Sequence, residues 1–404
     1  MTRDPSIPVL LFGAFDRHNV GDLLFAHVAA ALLPGRRHLF AGLAARDLRP
    51  WSGHRVKALA RLAARWRDRP LHIVHAGGEL LTCDAWEAAV MLLPPEQALA
   101  AIVGLDAGPE ERRAWAQQRL GFSDRVAYAV PRALFPQARG VVYNAVGGVG
   151  LDLLDAPMRA EAVAKLNEAD YVGVRDGHTH ALLAAAGIAA RLLPDSAVMI
   201  KELFAPAIQA RATRGETARM MEAFPKGYIA VQFSADFGDD RTLDAMAEQL
   251  SHAAAEHGCG IVLFRAGAAP WHDDIRCYRR LAARMRAAPR IFTSLDVWDI
   301  CALIAGSRAY LGSSLHGRIV AMAYALPRLN LRSPADTARV SKQSAFAATW
   351  DIAGMPAAVE VADIAEGMRR AVGIGGEQLQ RTAASLTAAY RAEFALEAAC
   401  LGPL

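Results

Sequence analysis

Lysine is scarce in this chain: only five of its 45 basic residues are lysine and the rest are arginine. A skew of that kind follows genomic base composition, and with a net charge of only +4 it argues against a nucleic-acid-binding surface. Cysteine is sparse too. Cys83, Cys259, Cys277, Cys301 and Cys400 are scattered, odd in number and free of any CxxC pair. That argues against a disulfide framework and a zinc spacing, and it fits a reducing compartment. No apolar stretch approaches the ~18 uncharged residues that cross a bilayer. Near the start, Arg3 and Asp4 precede only the short apolar run Val9–Phe15, with no small-residue cleavage site behind it. The run reads as a first buried strand rather than a signal peptide. The expectation is a soluble cytoplasmic protein without a transmembrane segment. Internal repeats and low-complexity tracts are lacking, and nothing in the pattern speaks to the oligomeric state.

What is present is apolar material. Hydrophobic residues make up 53% of the 404 and charged residues 21%, which excludes a disordered chain and allows sizeable cores. At roughly 100–200 residues per domain, the length suggests two domains or three. Short β-rich runs alternate with longer Ala/Leu-rich stretches, the pattern of parallel α/β architecture. Strands are expected at Val9–Phe15, Leu71–Ala76, Gly140–Val146 and Tyr171–Val174, with helices at Gly21–Leu33, Val56–Arg67, Ala160–Asn167 and Thr179–Ala186. A second series follows at Tyr228–Phe233, Gly260–Phe264, Arg290–Phe292, Ala309–Leu311 and Arg328–Leu331, alternating with helices such as Leu243–His257 and Tyr278–Arg286. The expected organisation is a Rossmann-like domain over 1–200, a helical connector over 201–226, a second Rossmann-like domain over 227–375 and a terminal helix over 376–404. Two doubly wound domains facing a cleft would bind ligands outside the carboxyl ends of their strands.

Four strand–helix junctions concentrate the polar and glycine residues. Gly13–Asp22 contains Asn19, Gly21 and Asp22; Asp22 either caps the following helix or offers a carboxylate across the junction. His75–Glu79 contains Gly77 and Gly78, which either form an ordinary turn or let backbone N–H groups and a following helix meet an anion. Gly147, Gly148 and Gly150 repeat that logic without GxGxxG spacing and with no clear acidic partner downstream, so a nicotinamide cofactor is not expected; no Walker A motif occurs. At the third junction Arg175 and Asp176 either pair at a strand end or meet a ligand, with Asp195 ending a later strand. His178 and His180 point to different helix faces and do not make a metal pair; no metal is expected. The fourth, Gly312–Arg318, places Ser313 and Ser314 as capping hydroxyls and His316 in the first turn of an apolar helix, where the dipole favours an anion.

In this order the four junctions resemble the polysaccharide pyruvyl transferase family. The matching residues are Asn19-Val-Gly-Asp22; Gly77-Gly78 with Leu80-Leu81; Leu166–Asp176 with Gly187 and Pro194-Asp195; and Ser314-Leu315-His316 with Ile319, Ala321, Ala323, Ala325 and Pro327. The resemblance extends from about residue 9 to 331. It implies a fold like that of GT-B glycosyltransferases with the active site in an interdomain cleft. It also implies transfer of pyruvate from phosphoenolpyruvate onto two hydroxyls of a sugar, forming a cyclic ketal in cell-surface polysaccharide assembly. The substrates would be a small-molecule donor and a saccharide acceptor, with no cofactor. The family often has Arg-Leu-His at the fourth junction, with the arginine gripping the donor, and Ser314 stands there instead. Arg318, four residues on, is the expected substitute. Arg265, ending the strand Gly260–Phe264, is the candidate for the family's second donor-binding arginine. A Ser-x-x-Arg-Pro-Trp-like stretch of some members is replaced by Ser234-Ala-Asp-Phe.

Pyruvyl transfer needs an acid to protonate the donor's methylene carbon, a base for the sugar hydroxyl, and cations or dipoles for carboxylate and phosphate. His316 suits the acid or a phosphate contact, Asp22 the base or the positioning of the sugar, and Arg265, Arg318 and the helix start at Ser313-Ser314-Leu315 the anion. Asn19, Gly21, Gly77, Gly78 and Arg175 complete the expected binding residues. A nucleotide-sugar enzyme on the same fold would use the same glycine junctions for a diphosphate. An inactive relative acting as a scaffold is the third reading.

Overall fold

Val9, Leu10, Leu11 and Phe12 are each wholly buried and form β1 (Val9–Phe12); an unbroken apolar run is covered only where both faces of a parallel sheet are packed. In the computed structural model, which describes residues 7–104, 108–333 and 340–402, this strand belongs to the first of two units. The first unit runs to Ser196 and takes up the chain again from Ala389; the second is Ala197–Ala388.

In the first unit β1 is followed by α1 (Val20–Leu32), β2 (His38–Gly42), β3 (Arg46–Asp47), β4 (Arg55–Ala58), α2 (Leu59–Trp66) and β5 (Leu71–His75). The helix expected over Val56–Arg67 thus begins only at Leu59, because Val56 is the buried residue of a strand. Three helices, α3 (Ala85–Met91), α4 (Pro95–Gly104) and α5 (Pro109–Leu120), come before β6 (Ala138–Val146). The unit continues with α6 (Ala156–Asn167), β7 (Tyr171–Val174), α7 (Gly177–Ala185) and β8 (Arg191–Leu192). Its sheet has the order β3-β4-β2-β1-β5-β6-β7-β8 and is parallel except for the β3–β4 pair. The winding reverses between β1 and β5. Their carboxyl ends are the first two junctions.

The second unit opens with α8 (Ile200–Ala212) and α9 (Gly215–Ala223), then β9 (Tyr228–Gln232), α10 (Asp240–His257), β10 (Gly260–Leu263) and α11 (Ile275–Arg284). It goes on through β11 (Arg290–Ile291), α12 (Val297–Ala305), β12 (Ala309–Gly312), α13 (Leu315–Ala323) and β13 (Arg328–Asn330) to α14 (Lys342–Trp350), α15 (Ile364–Val372) and α16 (Gly376–Cys400). All pairs in its sheet, β11-β10-β9-β12-β13, are parallel, and the winding reverses between β9 and β12. The core joins Ile229, Val231, Leu263 and Leu311 of the strands to Leu243, Met246 and Leu250 of α10. Residues 201–226, expected as a connector, lie inside this unit: Arg211 of α8 pairs with Asp296 and Asp299 at the start of α12, each at 3.1 Å.

The terminal helix is shared. Leu379 packs with Ile352, Met355 and Ala371 of the second unit, whereas from Ala389 onward α16 belongs to the first. There Tyr390 Oη donates to Asn144 Oδ1 (3.0 Å), and Asn144 Nδ2 donates to Glu397 Oε2 (2.5 Å). Glu397 is fully buried, and loss of water pushes its pKa up to about 8.

Candidate functional site

At the β1–β5 switch point the helix cap is Asn19, not Asp22. Asn19 has an extended backbone, and its side chain accepts from the N–H groups of Gly21 (3.0 Å) and Asp22 (3.4 Å). The Gly21 N–H is therefore used in the fold, and the Asp22 carboxylate is released from capping. Asp22 is buried, 3.8 Å from Arg17 Nη2. Arg17 in turn donates from Nη1 to Tyr128 Oη (2.5 Å) and lies over that ring at 5.2 Å. Tyr128 donates to Asp16 Oδ1 (3.2 Å), whose other oxygen accepts from the N–H groups of Leu43 (2.6 Å) and Ala44 (3.1 Å). Burial raises the Asp16 pKa despite these donors. Arg17 thus stands between two carboxylates, and the sequence reading did not single it out although it lies inside the quoted junction.

Gly77 and Gly78 have φ of +121° and +105°, a region L side chains rarely adopt. A side chain at Gly77 would meet Phe25 at 2.8 Å, and one at Gly78 would sit 3.4 Å from Asp22 Oδ1. The glycine turn is what lets β5 pass this close to Asp22. It does not lead straight into a helix: α3 starts at Ala85, and its N-terminus is capped by Asp84, which accepts from the Glu87 N–H (2.7 Å). The anion site expected at a helix start beside Gly78 is therefore not formed.

Arg175 is 1% exposed and forms ion pairs with Glu79 (2.8 Å) and Asp195 (3.0 Å). Asp176 caps α7 through the Thr179 N–H (2.7 Å) and hydroxyl (2.9 Å). Arg175 ties the ends of β5 and β7 to Asp195 instead of presenting its guanidinium to a ligand. The absent side chain of Gly147 leaves room for it, since a Cβ there would fall 2.2 Å from Glu79 Oε2 and 2.8 Å from Arg175 Nη2.

The β9–β12 switch point is built from side chains. Ser314 caps α13, its hydroxyl accepting from the Gly317 N–H (3.2 Å), and its own N–H donates to Gln232 Oε1 (2.8 Å). Ser313 Oγ accepts from the Ser234 N–H (3.0 Å), and Gln343 donates to the Ser313 carbonyl (2.6 Å). Leu315 is buried, so only its backbone can face a ligand; His316, half-buried, follows in the first turn. Gln232 Nε2 donates to Asp273 Oδ1 (2.7 Å), whose other oxygen accepts from the N–H groups of Ala266 (2.6 Å) and Gly267 (3.2 Å). Desolvation pushes the Asp273 pKa up to about 7 even with these three donors and with Arg265 in electrostatic reach. Arg265, half-buried beyond the end of β10, has a buried Nε with no hydrogen-bond partner. Gln232 and Asp273 were missed by the sequence reading; one ends a strand and the other lies in a loop 41 positions on.

Arg318 does not replace the family arginine. It is fully buried, and all five of its N–H groups are used: Asp351 Oδ2 accepts from Nε (3.0 Å) and Nη2 (2.5 Å), Asn330 Oδ1 (3.1 Å) and Ala357 O (3.0 Å) from Nη1, and Pro356 O (3.0 Å) from Nη2. Arg328 shares the same carboxylate. The side chain faces into the unit, where it fixes the segment 351–357 on β13.

A family model described as polysaccharide pyruvyl transferase matches residues 19–332. No curated protein matches the chain. Among solved structures, UDP-N-acetylglucosamine 2-epimerase from Rickettsia bellii is 11% identical, with 98% of this chain and 97% of that chain covered and a TM-score of 0.54. Trehalose 6-phosphate synthase from Burkholderia multivorans is 13% identical, with coverages of 99% and 98% and a TM-score of 0.51. The S. aureus MnaA–UDP structure is 11% identical, with coverages of 94% and 90% and a TM-score of 0.52. Identities this low show the fold alone, and that fold is GT-B-like α/β.

Proposed function

The chain belongs to the polysaccharide pyruvyl transferase family, and from that premise we propose that it moves pyruvate from phosphoenolpyruvate onto two hydroxyls of a saccharide as a cyclic ketal. The observation that carries the reading is a family match spanning 19–332, which takes in the motifs at both switch points. In the reaction the donor's methylene carbon gains a proton and becomes a methyl group. The carbon bearing the phosphate forms two bonds to sugar oxygens, loses its bond to the phosphate oxygen, and inorganic phosphate leaves. In our reading the second unit takes the donor. His316 supplies the proton or contacts phosphate, while Arg265 and the N-terminus of α13 meet the anionic groups. The first unit takes the acceptor, with Asp22 accepting a hydroxyl proton and Arg17 holding that carboxylate in place. Asn19, Gly21, Gly77 and Gly78 shape this rim rather than touch substrate through side chains.

Ser314 in place of the family arginine, together with the full engagement of Arg318, favours one other reading: a nucleotide-sugar enzyme whose diphosphate lies on the α13 N-terminus. Thermal unfolding separates the two. A ligand at ~100 times its dissociation constant stabilises the folded state by about 2.7 kcal/mol. Phosphoenolpyruvate should raise the midpoint in the native chain and not in His316→Ala. Stabilisation by a nucleotide or nucleotide sugar, with none by phosphoenolpyruvate, would select the other reading.

A further inference from the structure

The first unit carries a cavity of about 210 Å³ that opens to solvent. Asp84, Trp86, Glu110, Arg113, Arg125 and Asp155 line it, from α3, α5 and the approach to α6. Trp86 is half-buried and held in place, edge-on to Trp115 with ring centroids 5.1 Å apart and with the Arg112 guanidinium 5.6 Å from its centre. Asp84 and Asp155 each use one oxygen to cap a helix, accepting from the N–H groups of Glu87 and Met158 (2.7 Å each). The second oxygen of Asp155 lies 3.8 Å from Arg125. Arg113, half-buried in the same wall, makes no ion pair or hydrogen bond among the described residues.

The chemistry of this wall is mixed in a telling way. Guanidinium groups only donate and carboxylates only accept, and here the two alternate around an indole. An anion would face three carboxylates and a cation three arginines. A polyol suits both, because each hydroxyl donates and accepts, and a pyranose also offers C–H faces to an aromatic ring. The cavity adjoins the acceptor rim: Cys83, the residue before Asp84, lies in electrostatic reach of Arg17, Asp22 and Asp84 at once.

We propose that this cavity binds a neutral sugar unit of the acceptor neighbouring the one that carries the reacting hydroxyls, so that the protein selects an oligosaccharide over a monosaccharide. The proposal rests on the reading of the first unit as the acceptor side. The test is saturation-transfer NMR on the full chain with neutral di- to tetrasaccharides of hexoses and N-acetylhexosamines, alongside the matching monosaccharides. Oligosaccharides should bind at least tenfold more tightly than the monosaccharides. Arg113→Met should weaken them by about tenfold with an unchanged melting midpoint, as loss of a charged hydrogen bond does. Trp86→Phe, which keeps an aromatic in the packed cluster, should weaken them in parallel. No oligosaccharide binding, or binding untouched in both variants, overturns the proposal. If phosphoenolpyruvate fails to stabilise the chain while oligosaccharide affinity still falls in these variants, the pyruvyl reading fails and the sugar cavity stands.

Discussion

The two switch points obey one topological rule and are made of different material. Between β1 and β5 the floor is backbone: two glycines with positive φ bring β5 against Asp22, and the charges are the neighbours Arg17 and Asp22. Between β9 and β12 no glycine with positive φ takes part. One amide side chain, Gln232, is held by Asp273 and itself holds the first turn of α13 through Ser314. The first rim therefore depends on what the chain can bend into, and the second on which side chains are oriented. Mutations should part along that line.

The largest effect expected is on turnover. His316→Ala should lower pyruvyl transfer ~10²–10⁴-fold, the usual worth of a positioned acid or base, with an unchanged melting curve. Asp22→Asn should lower it comparably yet keep the stabilisation by phosphoenolpyruvate; loss of that stabilisation would dissolve the assignment of donor and acceptor to separate units. Next in size, Arg318→Ala should cost ~3–5 kcal/mol of stability, since it breaks a buried pair, and should leave donor affinity of the folded protein alone. A variant that melts like the native chain but binds the donor poorly would restore Arg318 as a ligand residue. Gly77→Ala should destabilise by ~1–3 kcal/mol through its positive φ and the Phe25 clash, against about 1 kcal/mol for the cap lost in Ser314→Ala. Equal costs in denaturant titrations would mean that the backbone and side-chain rims are not distinct. The smallest effect concerns pH. Below about 7 the Asp273 carboxyl is protonated, and above it the new negative charge repels an anionic donor. Donor affinity should fall on the order of a few-fold as pH rises through 7, and Asp273→Asn should flatten the profile.

The same contrast explains what was legible in the sequence. Buried strands such as Val9–Phe12, Leu71–His75 and Tyr228–Gln232 announce themselves as apolar runs because both faces are covered. Strands β2 and β4 went unread; β4 lies towards the sheet edge, buries only Val56 and alternates with Arg55 and Lys57, so it carries no run. Glycines flagged the first rim, because a positive φ leaves its mark on residue type. The second was half visible: Ser314 and His316 lie in one short motif, but Gln232 and Asp273 meet only through the fold. Arg318 was misread for a related reason. Spacing along a helix says which residues share a face, not whether that face meets solvent, and Asp351, which binds it, is 33 positions away. Arg175 was misread likewise, its partners Glu79 and Asp195 being 96 and 20 positions distant.

The shared helix α16 has a consequence for biosynthesis. Asn144 lies in the first unit, yet Tyr390 and Glu397, the side chains that close over it, are translated only after the entire second unit. At ~5–20 residues per second the ribosome needs roughly ten to forty seconds to make that intervening stretch. For that interval the first unit waits with a polar notch open beside β6. The unit begun first is thus completed last, because the side chains that cover Asn144 come from the end of α16.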